Sequence, residues 1–372
     1  MRVGMSLGIL WLAFLSGGPV WAQTESVTIE PTRENPRNSE GDIIELKDGR
    51  LCLIYSRFTG GGDDDAAADL ALRTSQDDAE TWSDDRIVVR RAGGLNVMSV
   101  SLLRLARGEI ALFYLRKTSV EDCRPLMRLS TDETRTWSEP TVCIPDEVGY
   151  YVLNNGRAVQ LRSGRLLLPV ALHRTPGGSW DSAGTIMCYL SDDGGKTWRR
   201  SRDIFRGYSP SGQRIIVQEP GVVELKDGRL MMYLRTDAGS QYICRSSDGG
   251  ETWSKAVPSA LASPLSPASI ARIPWTGHLV CVWNDHSGTH PYPAGRRTPL
   301  CLAVSRDEGA TWGRSEVIEP DPAGWYCYTS ITFVQDRMLL TYCAGDRNIG
   351  GLNRLKIVAL SKDWLLSRFP ER

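Results

Sequence analysis

Apolar residues along this chain fall into short runs of about five or six, each preceded by a tight polar turn and each too short for a helix. The runs are "RLCLIY" at 50–55, "EIALFY" at 109–114, "RLLLPV" at 165–170, "RLMMYL" at 229–234, "HLVCVW" at 278–283 and "MLLTY" at 338–342. Before each turn lies a second apolar segment: "DIIEL", "SLLRL", "RAVQL", "GVVEL", "SIARI" and "SITFV". Strand, turn and strand make a β-hairpin, and the turns align on Gly49, Gly108, Gly164, Gly228 and Gly277, with Asp336 in the sixth place. The heptapeptide "ELKDGRL" occurs twice without change, at 45–51 and 224–230, so the hairpin is a repeated unit.

Five hairpins are followed by a second motif: "SQDDAETW" at 75–82, "STDETRTW" at 130–137, "SDDGGKTW" at 191–198, "SSDGGETW" at 246–253 and "SRDEGATW" at 305–312. Its form is Ser-x-Asp-x-Gly-x-Thr-Trp. The Asp carboxylate can accept backbone N–H groups while Gly takes a positive φ. Copies one and two carry Ala79 and Thr134 at the Gly position, which predicts distorted turns there. Hairpin, third strand, Asp motif and fourth strand recur about every 60 residues, the repeat of propeller blades. The expected fold is all-β, a six-bladed propeller of four-stranded antiparallel blades. The sixth unit ends at "SKDW" (361–364), read as a cut-off Asp motif, and lacks a fourth strand. "ESVTIEPT" at 25–32 is expected to supply that strand and close the ring, which removes the exposed sheet edges.

The start of the chain, "MRVGMSLGILWLAFLSGGPVWAQ", reads as a secretory signal over 1–22, with 23–372 forming one propeller domain that is exported, to the periplasm or beyond. No later segment is long and apolar enough to span a bilayer. Lys plus Arg equals Asp plus Glu at 44 each, and no basic run appears, so neither nucleic acid nor an anionic membrane is an expected partner. Nine cysteines mostly sit inside apolar runs and read as core; in an oxidising compartment Cys123 and Cys143, the most loop-like, are the candidates for pairing, and spacing does not fix connectivity. No CxxC or HExxH pattern indicates a metal, and no cofactor is expected.

In such a propeller the hairpin turns and Asp motifs share one face, so the entries to the inner strands converge on the other. Nine residues before each turn Gly stand Glu40, Ser99, Asn155, Glu219, Ala268 and Cys327, the last beside Tyr328. After the second strands come Arg57, Arg116, His173, Arg235, Asn284 with Asp285, and Asp346. This ring of arginines and carboxylates suits recognition of a carboxylate or a phosphate.

The Asp motifs, the six units and "EPGVVELKDGRLMMYLR" resemble the sialidase (neuraminidase) superfamily over essentially all of 23–372. The resemblance implies a glycoside hydrolase acting on a terminal acidic sugar of a glycan or glycoconjugate. Residue by residue it implies Glu219 as base and Arg235 as a carboxylate ligand. "RTPLCLAVS" places a second arginine at Arg297, "YTSI" places the nucleophile at Tyr328, and the loop before the first Asp motif gives Asp64 as acid/base, with Asp65 the alternative. Arg57 is a further expected ligand of the substrate. The pattern departs at two points. Where the family has Arg-Ile-Pro this chain has Ser39, and Arg37 in "ENPRNSEGD" is expected to stand in. The family's closing Tyr-Glu is Tyr342-Cys343, while Glu40 and Asp42 add negative charge nearby. A non-catalytic carbohydrate-binding propeller and a hydrolase or lyase for a uronic sugar are the alternatives.

Overall fold

The computed structural model describes residues 25–370. The leader-like 1–22 lies outside the described residues. Among those described, twenty-five strands and one short helix form a six-bladed propeller. The first blade is typical, running from the axis outward as Arg37–Glu45, Leu51–Phe58, Ala68–Ser75 and Arg86–Val89, all antiparallel. Blades two, four and five repeat it over 96–142, 217–262 and 269–319, and blade three spans 150–200, its inner strand split into Tyr150–Val152 and Val159–Gln160. Blades one and two are stitched by a single parallel bridge at Ala68–Asn96, and blades two and three by one at Cys123–Tyr150. The sixth blade joins Trp325–Val334, Arg337–Gly345 and Leu355–Ser361 to the N-terminal strand Glu25–Ile29, which pairs antiparallel with the last of them. The ring closes as expected.

The continuous apolar runs are explained by how blades pack. The second strand of a blade is covered on both faces by neighbouring blades, so it reads as an unbroken apolar run rather than an alternating one. In Leu51–Phe58 every residue but Arg57 is buried, and Leu279–Asn284 is buried throughout. All nine cysteines are buried free thiols; Cys123, in the strand Asp122–Ser130, and Cys143, just after Thr141–Val142, are not paired but share one core cluster with Phe113, Tyr151 and Trp198.

The five Asp turns are built alike. In each, the Ser Oγ accepts from the backbone N–H four residues on, at Ala79 (3.0 Å), Thr134 (2.9 Å), Gly195 (2.8 Å), Gly250 (3.0 Å) and Gly309 (2.8 Å). The Asp accepts from the backbone N–H and hydroxyl of the Thr, as Asp248 does from Thr252 at 3.0 and 2.7 Å. The expected distortion at Ala79 and Thr134 does not occur: they adopt φ of 77° and 68°, the conformation glycine takes in the other copies. The fixed hydrogen bonds dictate the backbone and the side chain bears the strain, on the order of 1 kcal/mol per residue. The cut-off sixth motif is also corrected. Ser361 instead caps the helix Lys362–Arg368, its Oγ accepting from the Trp364 N–H at 3.1 Å.

Candidate active site

The inner strands share a second device on the face opposite the Asp turns. Four of them carry a β-bulge, at Ser39/Asp42, Met98/Ser101, Gln218/Gly221 and Cys327/Ser330. The bulged residues are Glu40 (φ 54°), Ser99 (φ 60°), Glu219 (φ 49°) and Tyr328 (φ 58°). A bulge re-aims a side chain out of the strand's alternation. All four line a cavity of about 480 Å³ on the axis. Positive φ at four non-glycine residues, each a rare conformation, marks strain concentrated where the side chains must converge. In the sixth blade the two-residue turn at Gln335–Asp336 is shorter than the others, so the bulged residue is Tyr328 rather than Cys327. The equivalent positions of blades three and five plug the axis instead. Asn155 donates to the carbonyls of Gly41 (3.0 Å) and Tyr328 (2.8 Å), and Arg157 of blade three donates to the Ala268 carbonyl (2.5 Å) of blade five and the Tyr233 hydroxyl (2.6 Å) of blade four.

Three of the expected residues form one hydrogen-bonded unit. The Tyr328 hydroxyl donates to Glu219 Oε1 at 3.0 Å, and Arg235 donates to the same oxygen at 2.7 Å. Arg297 lies over the Tyr328 ring (5.4 Å) and the Trp325 ring (5.2 Å), buried and lining the same cavity. Burial acts to raise the Glu219 carboxyl, but the charges of Arg235 and Arg297 and their hydrogen-bonded neighbours win and hold it below the usual range. Burial, with the Glu219 charge behind it, pushes the Tyr328 hydroxyl above the usual phenol range. The proton between them therefore rests on Tyr328.

Across the cavity stands Asp64, with its side chain 63% exposed, bonded at 2.6 Å to Arg37. The loop is clamped from beneath: the buried Lys117 donates to the Asp64 carbonyl (2.6 Å) and to Asp65 Oδ1 (3.0 Å), and Asn96 donates to the carbonyls of Asp64 (2.8 Å) and Ala66 (3.0 Å). Pairing Asp65 with Lys117 leaves Asp64 as the carboxylate of this run that lines the cavity. Burial opposes its ionisation, yet Arg37, Lys117 and Arg297 together hold it below the usual range.

Neither Arg37 nor Arg57 lines the cavity. Arg37 is only 1% exposed; it stacks on Phe58 at 4.2 Å, donates to Ser39 Oγ (3.0 Å) and the Gly62 carbonyl (3.1 Å), and is held by Asp64 and, at 3.6 Å, Glu40. It underpins the cavity rather than lining it. Arg57 pairs with Asp85 at 3.0 Å alongside Arg73 and the Tyr55 hydroxyl, away from the cavity, because strand alternation sends its neighbour Phe58 toward Arg37. Burial pushes the Glu40 carboxyl up to about 7 despite Arg37, which weakens the added negative charge expected there. His173, Trp180, Tyr150 and Trp325 also line the cavity. Trp180, 47% exposed, stacks on His173 at 4.8 Å and meets Tyr150 edge-on at 5.0 Å. Of these four only His173 sits at a repeat-aligned position, and the others could not be singled out from a dozen tryptophans and a dozen tyrosines.

The chain is a six-bladed propeller with five Asp turns, and the side chains at its inner-strand bulges meet Arg235 and Arg297 in one cavity. Comparison with known proteins agrees. The family described as BNR repeat-like domain matches residues 54–341, and the chain belongs to it. It is 26% identical over 325 residues to a sialidase of Micromonospora viridifaciens, covering 78% of this chain and 47% of that one. The chain spans about half the length of the curated relatives it matches. Among solved structures it superposes on a protein of unknown function from Dyadobacter fermentans (TM-score 0.71, 20% identity, 91% of this chain and 98% of that one). It also superposes on the leech intramolecular trans-sialidase (TM-score 0.69, 16% identity, 91% and 70%). These two likenesses are of fold.

Proposed function

We propose that the protein is an exo-acting glycoside hydrolase that releases a terminal acidic sugar, sialic acid or a close analogue, from a glycan. The observation that carries this reading is the Tyr328 hydroxyl 3.0 Å from Glu219, with Arg235 on the same oxygen and Asp64 facing them across one cavity. A neutral phenol suits attack at an anomeric carbon that already bears a carboxylate, since a negative nucleophile would be repelled; sialidases use a tyrosine where most glycoside hydrolases use a carboxylate. Arg297 and Arg235 would hold the substrate carboxylate. That carboxylate would draw on the positive charge now shared with Glu219. The Glu219 carboxyl would then become more basic and accept the Tyr328 proton as the C–O bond forms. Asp64, protonated, would give its proton to the leaving oxygen, then take one from the water that releases the sugar from Tyr328, while Glu219 returns its proton to the phenol. Arg37 would orient Asp64. Because Arg37 holds the Asp64 carboxyl low, the acid form is scarce at neutral pH and turnover is expected to fall as pH rises from the acid side. The leader-like 1–22 supports the further proposal that the enzyme acts outside the cytoplasm.

A second reading, a hydrolase or lyase for a uronic sugar, is favoured by the burial of Arg37, which leaves Arg235 and Arg297 as the arginines that line the cavity. The test is turnover of a fluorogenic sialoside beside a panel of uronosides, with Tyr328→Phe in parallel. Release of sialic acid that Tyr328→Phe abolishes supports the first reading; turnover of uronosides alone selects the second; glycan binding with no turnover of any substrate ends both.

A further inference from the structure

The segment 285–299 joins the second and third strands of blade five, Leu279–Asn284 and Leu300–Ser305, and delivers Arg297 to the cavity. At its base three side chains of different chemistry meet: Asp285, His290 and Cys301 each place a ligand atom within 4.8 Å of the other two. Asp285 and Cys301 are buried and His290 is half-buried. The sequence put Asp285 in the ring around the axis and gave no sign of a metal. We propose that these three residues bind a divalent cation of the zinc class, which ties both ends of the segment together.

The donor set selects the cation. Thiolate, imidazole and a carboxylate are the ligands of zinc, whose bonds of about 2.0–2.3 Å set tetrahedral ligand atoms roughly 3.3–3.8 Å apart. Calcium needs six to eight oxygen ligands and magnesium a near-octahedral oxygen shell, whereas this cluster offers one carboxylate. A second, independent observation concerns the imidazole. His290 Nε2 lies 3.1 Å from the Ser315 carbonyl and 3.1 Å from its Oγ, and Ser315 Oγ lies 2.5 Å from Asp285 Oδ2. An ionised carboxylate only accepts, so the Ser315 hydroxyl proton points at Asp285. Ser315 therefore bridges His290 and Asp285 and holds these two members of the cluster against each other. The other Asp285 oxygen accepts from the Ser287 N–H at 2.8 Å, which fixes the carboxylate.

Without the cation, burial and the Asp285 charge keep the Cys301 thiol protonated. Binding therefore releases that proton to solvent and forms the sulfur–metal bond in its place. Three protein ligands leave the fourth position for water.

The full chain, loaded with zinc and freed of excess by gel filtration, is expected to retain about one zinc per chain by mass spectrometry and to melt higher than after EDTA treatment. Cobalt loading should give a thiolate-to-metal charge-transfer band that Cys301→Ser removes. His290→Ala, at the half-buried ligand where the core is spared, should weaken zinc binding by at least about tenfold. The proposal is overturned if protein folded by circular dichroism retains no zinc, or if both variants retain as much as the parent.

Discussion

The two faces of the propeller use one backbone trick to opposite ends. On the turn face, five Asp motifs repeat the same hydrogen bonds, and even Ala79 and Thr134 are bent into the left-handed conformation to preserve them. On the cavity face, four inner strands repeat the same left-handed bulge, but the residue that occupies it changes from Glu40 to Ser99 to Glu219 to Tyr328. Where the repeat serves the scaffold, its chemistry is held constant. Where it serves the site, the backbone is held constant and the side chain is free to differ.

The sharpest way to break this contrast is to exchange effects between the faces. Glu219→Gln is expected to lower kcat for the proposed reaction by about 10²–10⁴-fold, its leading effect. Asp248→Ala, which strips a carboxylate accepting from Ser246, Glu251 and Thr252, should do the reverse: about 2 kcal/mol of stability lost in urea unfolding, with kcat unmoved. If Asp248→Ala also silenced turnover, the separation of scaffold from site would be wrong.

A second effect sits where the faces meet. Asp42, just past the Glu40 bulge, is buried, and that burial pushes its carboxyl up to about 7 although it accepts from the Leu102 (2.8 Å) and Ile43 (2.9 Å) N–H groups. A carboxyl raised on folding leaves its stability intact below the ordinary aspartate range and loses it as pH climbs toward about 7. Asp42→Asn should therefore gain stability over the parent between pH 5 and pH 8, by an amount on the order of 1–3 kcal/mol. Unfolding curves at the two pH values check it; an advantage that does not grow with pH refutes it.

The smallest effect probes the turn face alone. Thr134→Gly removes a β-branched residue from φ 68° and should stabilise by on the order of 1 kcal/mol, seen as a higher melting temperature. A decrease would mean that the buried threonine methyl outweighs the strain.

Much was legible in the sequence because it depends on local chemistry. The count of blades and the strand that closes the ring follow from strand patterns, turn residues and their offsets, and the same offsets place Glu219, Arg235 and His173 around the axis. Tyr328, Asp64 and Arg297, which also line the cavity, were singled out by the family resemblance of their local motifs. The expectation of distorted turns at Ala79 and Thr134 failed because the hydrogen bonds of the motif outweigh the residue's own preference.

Tertiary structure alone decided which charge meets which. Arg37 lies 27 residues from Asp64, Lys117 lies 52 from Asp65, and Ser315 lies 30 from Asp285. Partners so far apart in sequence leave no periodic trace, and whether a charge lines a cavity or is buried beneath it depends on the packing of neighbouring blades and the desolvation that packing imposes. The sequence by itself determined the ring and the side chains offered to its axis. The fold determined that Arg57 turns away to Asp85, that Arg37 braces Asp64 from below, and that Asp285, His290 and Cys301 come together at all.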